Sequence, residues 1–392
     1  MKTPVLIVAG IGFCKVFNGS EDVTAWPPAL KEDAFMKTLG LRIGKMALFR
    51  KDSGFSDMLA QMAQDILSPF AADETGTHCN AELFAGSVYS LASLSDEERT
   101  ALYRLLPMQA LCDKLGNENV FVFPYDFSGD PLENGKELAA CVENICASCG
   151  CEKISLLAVG CGSTVVNAYL AQHEAANRLN KLVFCFSPLN GSLLLSDLLL
   201  DSFDYRKSGS FLCSVMKQED AGMFIDLDRM IPGLLENVFD KVFTVVRELF
   251  LNLPAAWALC PADDYEDLAE ELLADKPLLK SRTDAFDACR RKLPAILQEL
   301  QSDGVSVHLL AGSALPFVAL SKSSDVVSDQ LVNTSSAALN DSIEETAEVE
   351  GYAIDETKAC LPEQTVYFPR VPHMQALKNE QVQAQLIQIL TN

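Results

Sequence analysis

Positive charge is what this chain is short of: 31 Lys and Arg stand against 54 Asp and Glu over 392 residues, a formal charge of −23. Contacts to nucleic-acid phosphates and to anionic lipid both need clustered Lys and Arg, so neither partner class fits. No run of 18 apolar residues occurs, so no transmembrane segment is expected. There is no internal repeat. Gly10-Ile11-Gly12 lacks the third glycine of a dinucleotide loop, and no acidic residue closes a second strand at the required distance. Cys141, Cys146, Cys149 and Cys151 have metal-like spacing, yet no second Cys or His pair follows. They fall on the apolar face and at the end of one predicted helix, which reads as core packing. Neither a metal nor another cofactor is expected.

What is present describes a folded protein: 49% hydrophobic and 22% charged residues. The 13 cysteines are odd in number and scattered through apolar runs such as Leu182-Val183-Phe184-Cys185-Phe186, unlike a disulfide framework. Reduced thiols in a cytoplasmic protein are the expectation. The apolar start, Pro4 to Gly10, has no small-x-small cleavage site after it and ends as a strand entering a loop would.

Continuously apolar segments at 5–9, 119–123, 154–159, 182–186, 305–310 and 365–368 read as buried strands. Helical periodicity lies between them, at 132–149 and 164–179, with a last helix at 381–390. Such alternation predicts an α/β protein with a mostly parallel sheet flanked by helices. Two long stretches, 21–115 and 193–300, are rich in Leu, Met and Phe. They read as mostly helical cap or lid insertions, which leaves 1–20, 116–192 and 301–392 for the core. The Ser-, Asp- and Glu-rich stretch 321–350 reads as a mobile surface loop.

The most informative segment runs from the strand at 154–159 through Gly160-Cys161-Gly162-Ser163-Thr164 into a helix, the context in which hydrolases expose a nucleophile on a strained elbow. Its neighbours are Pro4-Val5-Leu6-Ile7-Val8-Ala9-Gly10-Ile11-Gly12, Ala25-Trp26-Pro27-Pro28, Phe123-Pro124-Tyr125-Asp126-Phe127 and Ser187-Pro188-Leu189-Asn190-Gly191-Ser192. Together they resemble the α/β-hydrolase superfamily, and within it lipases and esterases similar to lecithin:cholesterol acyltransferase. That family carries a Pro-Gly-x-x-Gly strand end, a Tyr-Asp-Trp-Arg segment and a Gly-His-Ser-x-Gly-Gly elbow. The resemblance spans the sheet and is weak in the caps.

The resemblance implies lipase-like or acyltransferase-like chemistry in lipid metabolism, but it places Gly160 where the family has its serine. A glycine cannot attack an ester. Phe127-Ser128 in place of Trp-Arg, and Ala9 in place of a proline, depart in the same direction. The resemblance further assigns the acid to Asp329 in Ser328-Asp329-Gln330-Leu331-Val332, with Glu350 as a second candidate, and the general base to His373. The backbone amides of Ile11 and Cys161 fall where the family builds its oxyanion hole. His78, His173 and His308 read as structural or exposed. The expectation is a catalytically inactive relative that binds a hydrophobic acyl ligand or a protein partner. The alternative is an active ester hydrolase or acyltransferase using Cys161, Ser163 or water with His373 and Asp329. Cys161 is expected to point away from the elbow, and Ser163 to cap the following helix.

Overall fold

The computed structural model describes residues 2–28, 32–216, 218–343 and 354–392. Its strands are β1 (Val5–Val8), β2 (Val16–Asn18), β3 (Ser20–Trp26), β4 (Leu83–Ala85), β5 (Tyr89–Ser90) and β6 (Val120–Val122), followed by β7 (Ile154–Val159), β8 (Leu179–Cys185), β9 (Ser306–Ser313), β10 (Leu315–Pro316), β11 (Val327–Ser328) and β12 (Thr365–Pro369). Seven of them form the main sheet, in the order β12-β9-β8-β7-β1-β6-β5. Every pair is parallel except β5 with β6. This is a mostly parallel sheet flanked by helices.

Apolar residues run without interruption along these strands because both faces are covered. Leu6 and Val8 of β1 enter one core and Val5 and Ile7 the other. The first core is closed by the helices Pro131–Cys149, Gly162–Gln172 and the later turns of Pro277–Ser302. Asp130 caps the first of these by accepting from the Leu132 amide at 2.9 Å, with Pro131 at the first helical position. Gly150, at φ +63°, ends it, and the Cys151 amide returns to the Cys146 carbonyl at 3.0 Å. Cys141 and Cys146 are buried in that core, with Cys149 and Cys151 packed against it.

Several expectations need correction. The helix read at 164–179 stops at Gln172, where His173 turns extended, and β8 begins at Leu179 rather than 182. Asn180 and Lys181 hid that start, being the polar residues of an otherwise apolar strand. The stretch 21–115 also contributes β3, β4 and β5, and β5 joins the main sheet; two residues are too few for a period-2 signal. The described part of 321–350 is no mobile surface loop. Val326, Val327, Ser328, Asp329 and Val332 are buried, and the helix Thr334–Ala338 packs against β9 with Ala337 and Ala338 on Ala311. Its polar residues are satisfied internally: Thr334 donates to the Gly312 carbonyl at 2.9 Å and Ser336 to the Gly191 carbonyl at 2.6 Å.

The stretches 21–115 and 193–300 pack against each other. Met46 and Phe55 from the former pack with Leu227, Ile231, Leu234 and Val238 from the latter. Asn237 donates to Asp52 at 2.8 Å across the same contact. Among the described residues no helix is long and apolar enough to cross a membrane.

Among the described glycines the tightest approach is at Gly162, where the helix Gly162–Gln172 starts against β1. A Cβ there would lie 2.2 Å from the Val8 carbonyl oxygen, and backbone cannot swing aside as a side chain can. We expect Gly162→Ala to cost about 3 kcal/mol or more in urea unfolding, at the upper end for overpacking. Gly12→Ala, with nothing within 4 Å of its Cβ, is the control and should stay within about 0.5 kcal/mol of wild type.

Candidate active site

Three loops at the carboxyl ends of β7, β11 and β12 build the site. After Val159 the chain turns at Gly160, whose φ of +51° is left-handed and carries no penalty for glycine. The turn is held by main-chain bonds: the Gly160 amide donates to the Cys185 carbonyl at 3.0 Å, and the Ser163 amide to the Gly160 carbonyl at 3.1 Å. The elbow conformation is thus present without any side chain at its apex.

Asp329 follows β11 directly and is fully buried. One carboxylate oxygen accepts from the Leu331 and Val332 amides at 3.0 and 2.7 Å, and the other meets His373 Nδ1 at 2.8 Å. The His373 amide in turn donates to the Asp329 carbonyl at 2.8 Å, so the two loops are joined by main chain as well as side chain. The imidazole is 19% exposed. Its Nε2 lies 3.5 Å from the position a Cβ on Gly160 would take. Burial works against the imidazolium, but the charge of Asp329 and its hydrogen bond more than offset that, so the His373 pKa is raised above its ordinary 6.5.

Phe186 and Gly312 also shape the site, and no residue pattern pointed to either. The Phe186 ring meets the His373 imidazole edge to face at 6.4 Å, from a residue held at φ +50°. Gly312 makes room for it: a Cβ there would stand 2.5 Å from both Phe186 Cε1 and Asp329 Cβ.

The other residues singled out are placed as follows. Ile11 begins a short turn after β1, anchored by Trp26 Nε1 donating to its carbonyl at 2.9 Å. Cys161 is at the N-cap of the helix, and Gly10 brings the two segments close, a Cβ on it lying 3.3 Å from the Cys161 amide nitrogen. Neither the Ile11 nor the Cys161 amide donates a hydrogen bond among the described residues. Burial pushes the Cys161 thiol up to about 11, away from the thiolate that nucleophilic attack requires. Ser163 does not cap its helix: its hydroxyl is buried with no hydrogen-bond partner among the described residues. Neither side chain is hydrogen-bonded to His373. Glu350 lies outside the described residues.

The remaining histidines lie elsewhere. His308 accompanies Ser306 at 2.9 Å, and His173 stacks on Tyr169. His78 contacts Asp126 at 3.2 Å and Ser128 at 3.2 Å, a set that copies the residue types of a catalytic triad. Ser128 is only 2% exposed and donates to Asp126 at 2.6 Å, so this set ties the segment at His78 to the turn after β6.

No family model matches this chain, and no curated protein matches it. Among solved structures it is similar to the mature form of the Bacillus licheniformis lipase BlEst2, at 14% identity and TM-score 0.38, covering 78% of this chain and 88% of that one. The propeptide form of that lipase gives 15% identity and TM-score 0.39, covering 78% of this chain and 48% of that one. The Tle4–Tli4 complex gives 10% identity and TM-score 0.41, covering 99% of this chain and 98% of that one.

Proposed function

We propose that this chain is a non-acylating relative of lipases and esterases similar to lecithin:cholesterol acyltransferase, one that binds an acyl or ester ligand beside His373 without a covalent intermediate. The observation that carries the reading is Gly160: a histidine–aspartate pair is aimed at the place where a nucleophile would begin, and nothing there can form an acyl-enzyme. Cys161, with its raised pKa, and Ser163, buried and unpaired, are poor substitutes. The Ile11 and Cys161 amides remain suited to polarise a carbonyl in a bound ligand.

The intact Asp329–His373 pair favours one second reading, hydrolysis by water that His373 deprotonates. A single experiment separates the two. Wild-type protein treated with a fluorophosphonate serine probe should remain unlabelled, and p-nitrophenyl esters of short and long chain should turn over no faster than in buffer. Turnover abolished by His373→Ala would overturn the non-catalytic reading in favour of the water route.

A further inference from the structure

A groove of about 750 Å³, the size of a small-molecule site, runs between one face of the helix Pro131–Cys149 and the segment 83–88. None of its lining residues belongs to the loops that carry Gly160, Asp329 and His373. Its walls differ in chemistry. Leu83, Phe84 and Val88 make one side apolar, while the helix presents Glu133, Asn134 and Glu137, and Asp126 and Asp130 continue that side ahead of it. Four carboxylates thus share the groove with a single fixed cation, Arg282, which ion-pairs with none of them among the described residues.

Two observations show that this side lacks a counterpart. Asp126 is occupied by His78 and Ser128, and Glu133 meets Lys136 at 2.7 Å. Asp130 spends one oxygen on the Leu132 amide, and Glu137 has no partner among the described residues. Partial burial, and after it the charges of Asp126 and Glu133, hold the Glu137 carboxyl above its ordinary range; burial does the same at Asp130. The second observation is independent of charge. Asn134 is only 7% exposed, and its Nδ2 donates to the Asp126 carbonyl at 2.8 Å. Its Oδ1 is left as an acceptor on the groove wall with no donor among the described residues, a deficit that a ligand N–H would make good.

The arrangement selects the kind of cation. No three His, Cys, Asp or Glu side chains among the described residues are grouped to hold a metal ion. The carboxylates are strung out instead: Glu133 and Glu137 are one helical turn apart, a rise of about 6 Å, and Asp130 precedes Glu133 by about 4.5 Å. Nitrogens separated by about three or four methylenes span such distances. We propose that the groove binds a linear aliphatic polyamine, its ammonium groups on Asp130, Glu133, Glu137 and Asn134 Oδ1 and its methylenes against Leu83, Phe84 and Val88. The proposal does not depend on what happens at Gly160.

Calorimetric titration of the full chain at fixed ionic strength with spermidine, butylamine and Mg²⁺ tests it. Expected is saturable binding of one spermidine per chain, with butylamine and Mg²⁺ weaker by about tenfold or more, since neither can reach several carboxylates at once. Glu137→Gln should weaken spermidine about tenfold, and Ala140→Trp, which fills the groove without changing charge, by as much. Both side chains are exposed on the helix, so the thermal midpoint should hold. Glu271→Gln removes the same charge from the exposed face of the helix Ala262–Leu272 and should bind within about twofold of wild type. Spermidine binding that falls equally in Glu137→Gln and Glu271→Gln, that ignores both groove variants, or that Mg²⁺ matches would mean that the −23 charge gathers counterions without a site. Any of these results overturns the proposal, as does the absence of spermidine binding.

Discussion

Gly160→Ser should be labelled by a fluorophosphonate probe and should hydrolyse p-nitrophenyl butyrate about 100- to 1,000-fold faster than wild type, a fraction of the roughly million-fold worth of the nucleophile in an evolved site. The added Cβ would stand 3.5 Å from His373 Nε2, in contact without overlap, and the hydroxyl one bond further can rotate into hydrogen-bonding range. The remaining parts need no change: Asp329 already holds Nδ1, and the Ile11 and Cys161 amides have no main-chain acceptor among the described residues. The cost is strain, because a non-glycine residue at φ +51° is disfavoured by about 1 to 3 kcal/mol. A lowered but cooperative thermal transition should therefore accompany the gain. Gly160→Ala carries the same strain without the hydroxyl, so it should share the lowered midpoint and show no turnover. A folded serine variant that is neither labelled nor active would mean that the histidine is out of line with the elbow.

How much of this could be read from the residues depended on where each signal resides. Buried parallel strands announce themselves locally, since every residue of Ile154–Val159 must be apolar when both faces are covered. The helix Pro131–Cys149 was equally plain, with Asp130 and Pro131 opening it and Gly150 closing it. Asp329 and His373 were reached through resemblance rather than pattern, and nothing local distinguishes a fully buried carboxylate from a solvated one. The segment around Asp329 is rich in Ser, Asp and Asn because those side chains bond to its own turns and to β9, contacts made by residues more than 100 positions away in the case of Ser336 and Asn190. Composition reports polarity and not who satisfies it. A cavity beside His373 is further out of reach, because its walls come from the helix Ser208–Val215 and from segments at Val318, Leu331 and Met374 that only tertiary packing brings together.

The deepest loss of function should come from Asp329→Asn placed in the Gly160→Ser background: nearly the whole of the roughly 100- to 1,000-fold gain in turnover should be lost, with the fold retained. An asparagine can still accept the Leu331 and Val332 amides on one side, but toward His373 it presents an N–H. That N–H donates to Nδ1 and so moves the imidazole proton to Nε2, which faces residue 160 and must be bare to act as a base. The pH profile supplies the readout that a merely structural role would not move. In Gly160→Ser the rate should rise as pH climbs through the His373 pKa, which lies above 6.5 because Asp329 outweighs burial. Stability has the opposite sense: the charged His373–Asp329 pair contributes most below the unfolded histidine pKa, and the contribution is lost as pH rises through the folded value. With Asn at 329 only burial remains, so the midpoint should drop below 6.5. An NMR titration of His373 in wild type and in Asp329→Asn alone gives the same comparison without any turnover. A His373 titration that is the same in both would show that the carboxylate does not tune the base, and the pairing at 2.8 Å would then be structural only.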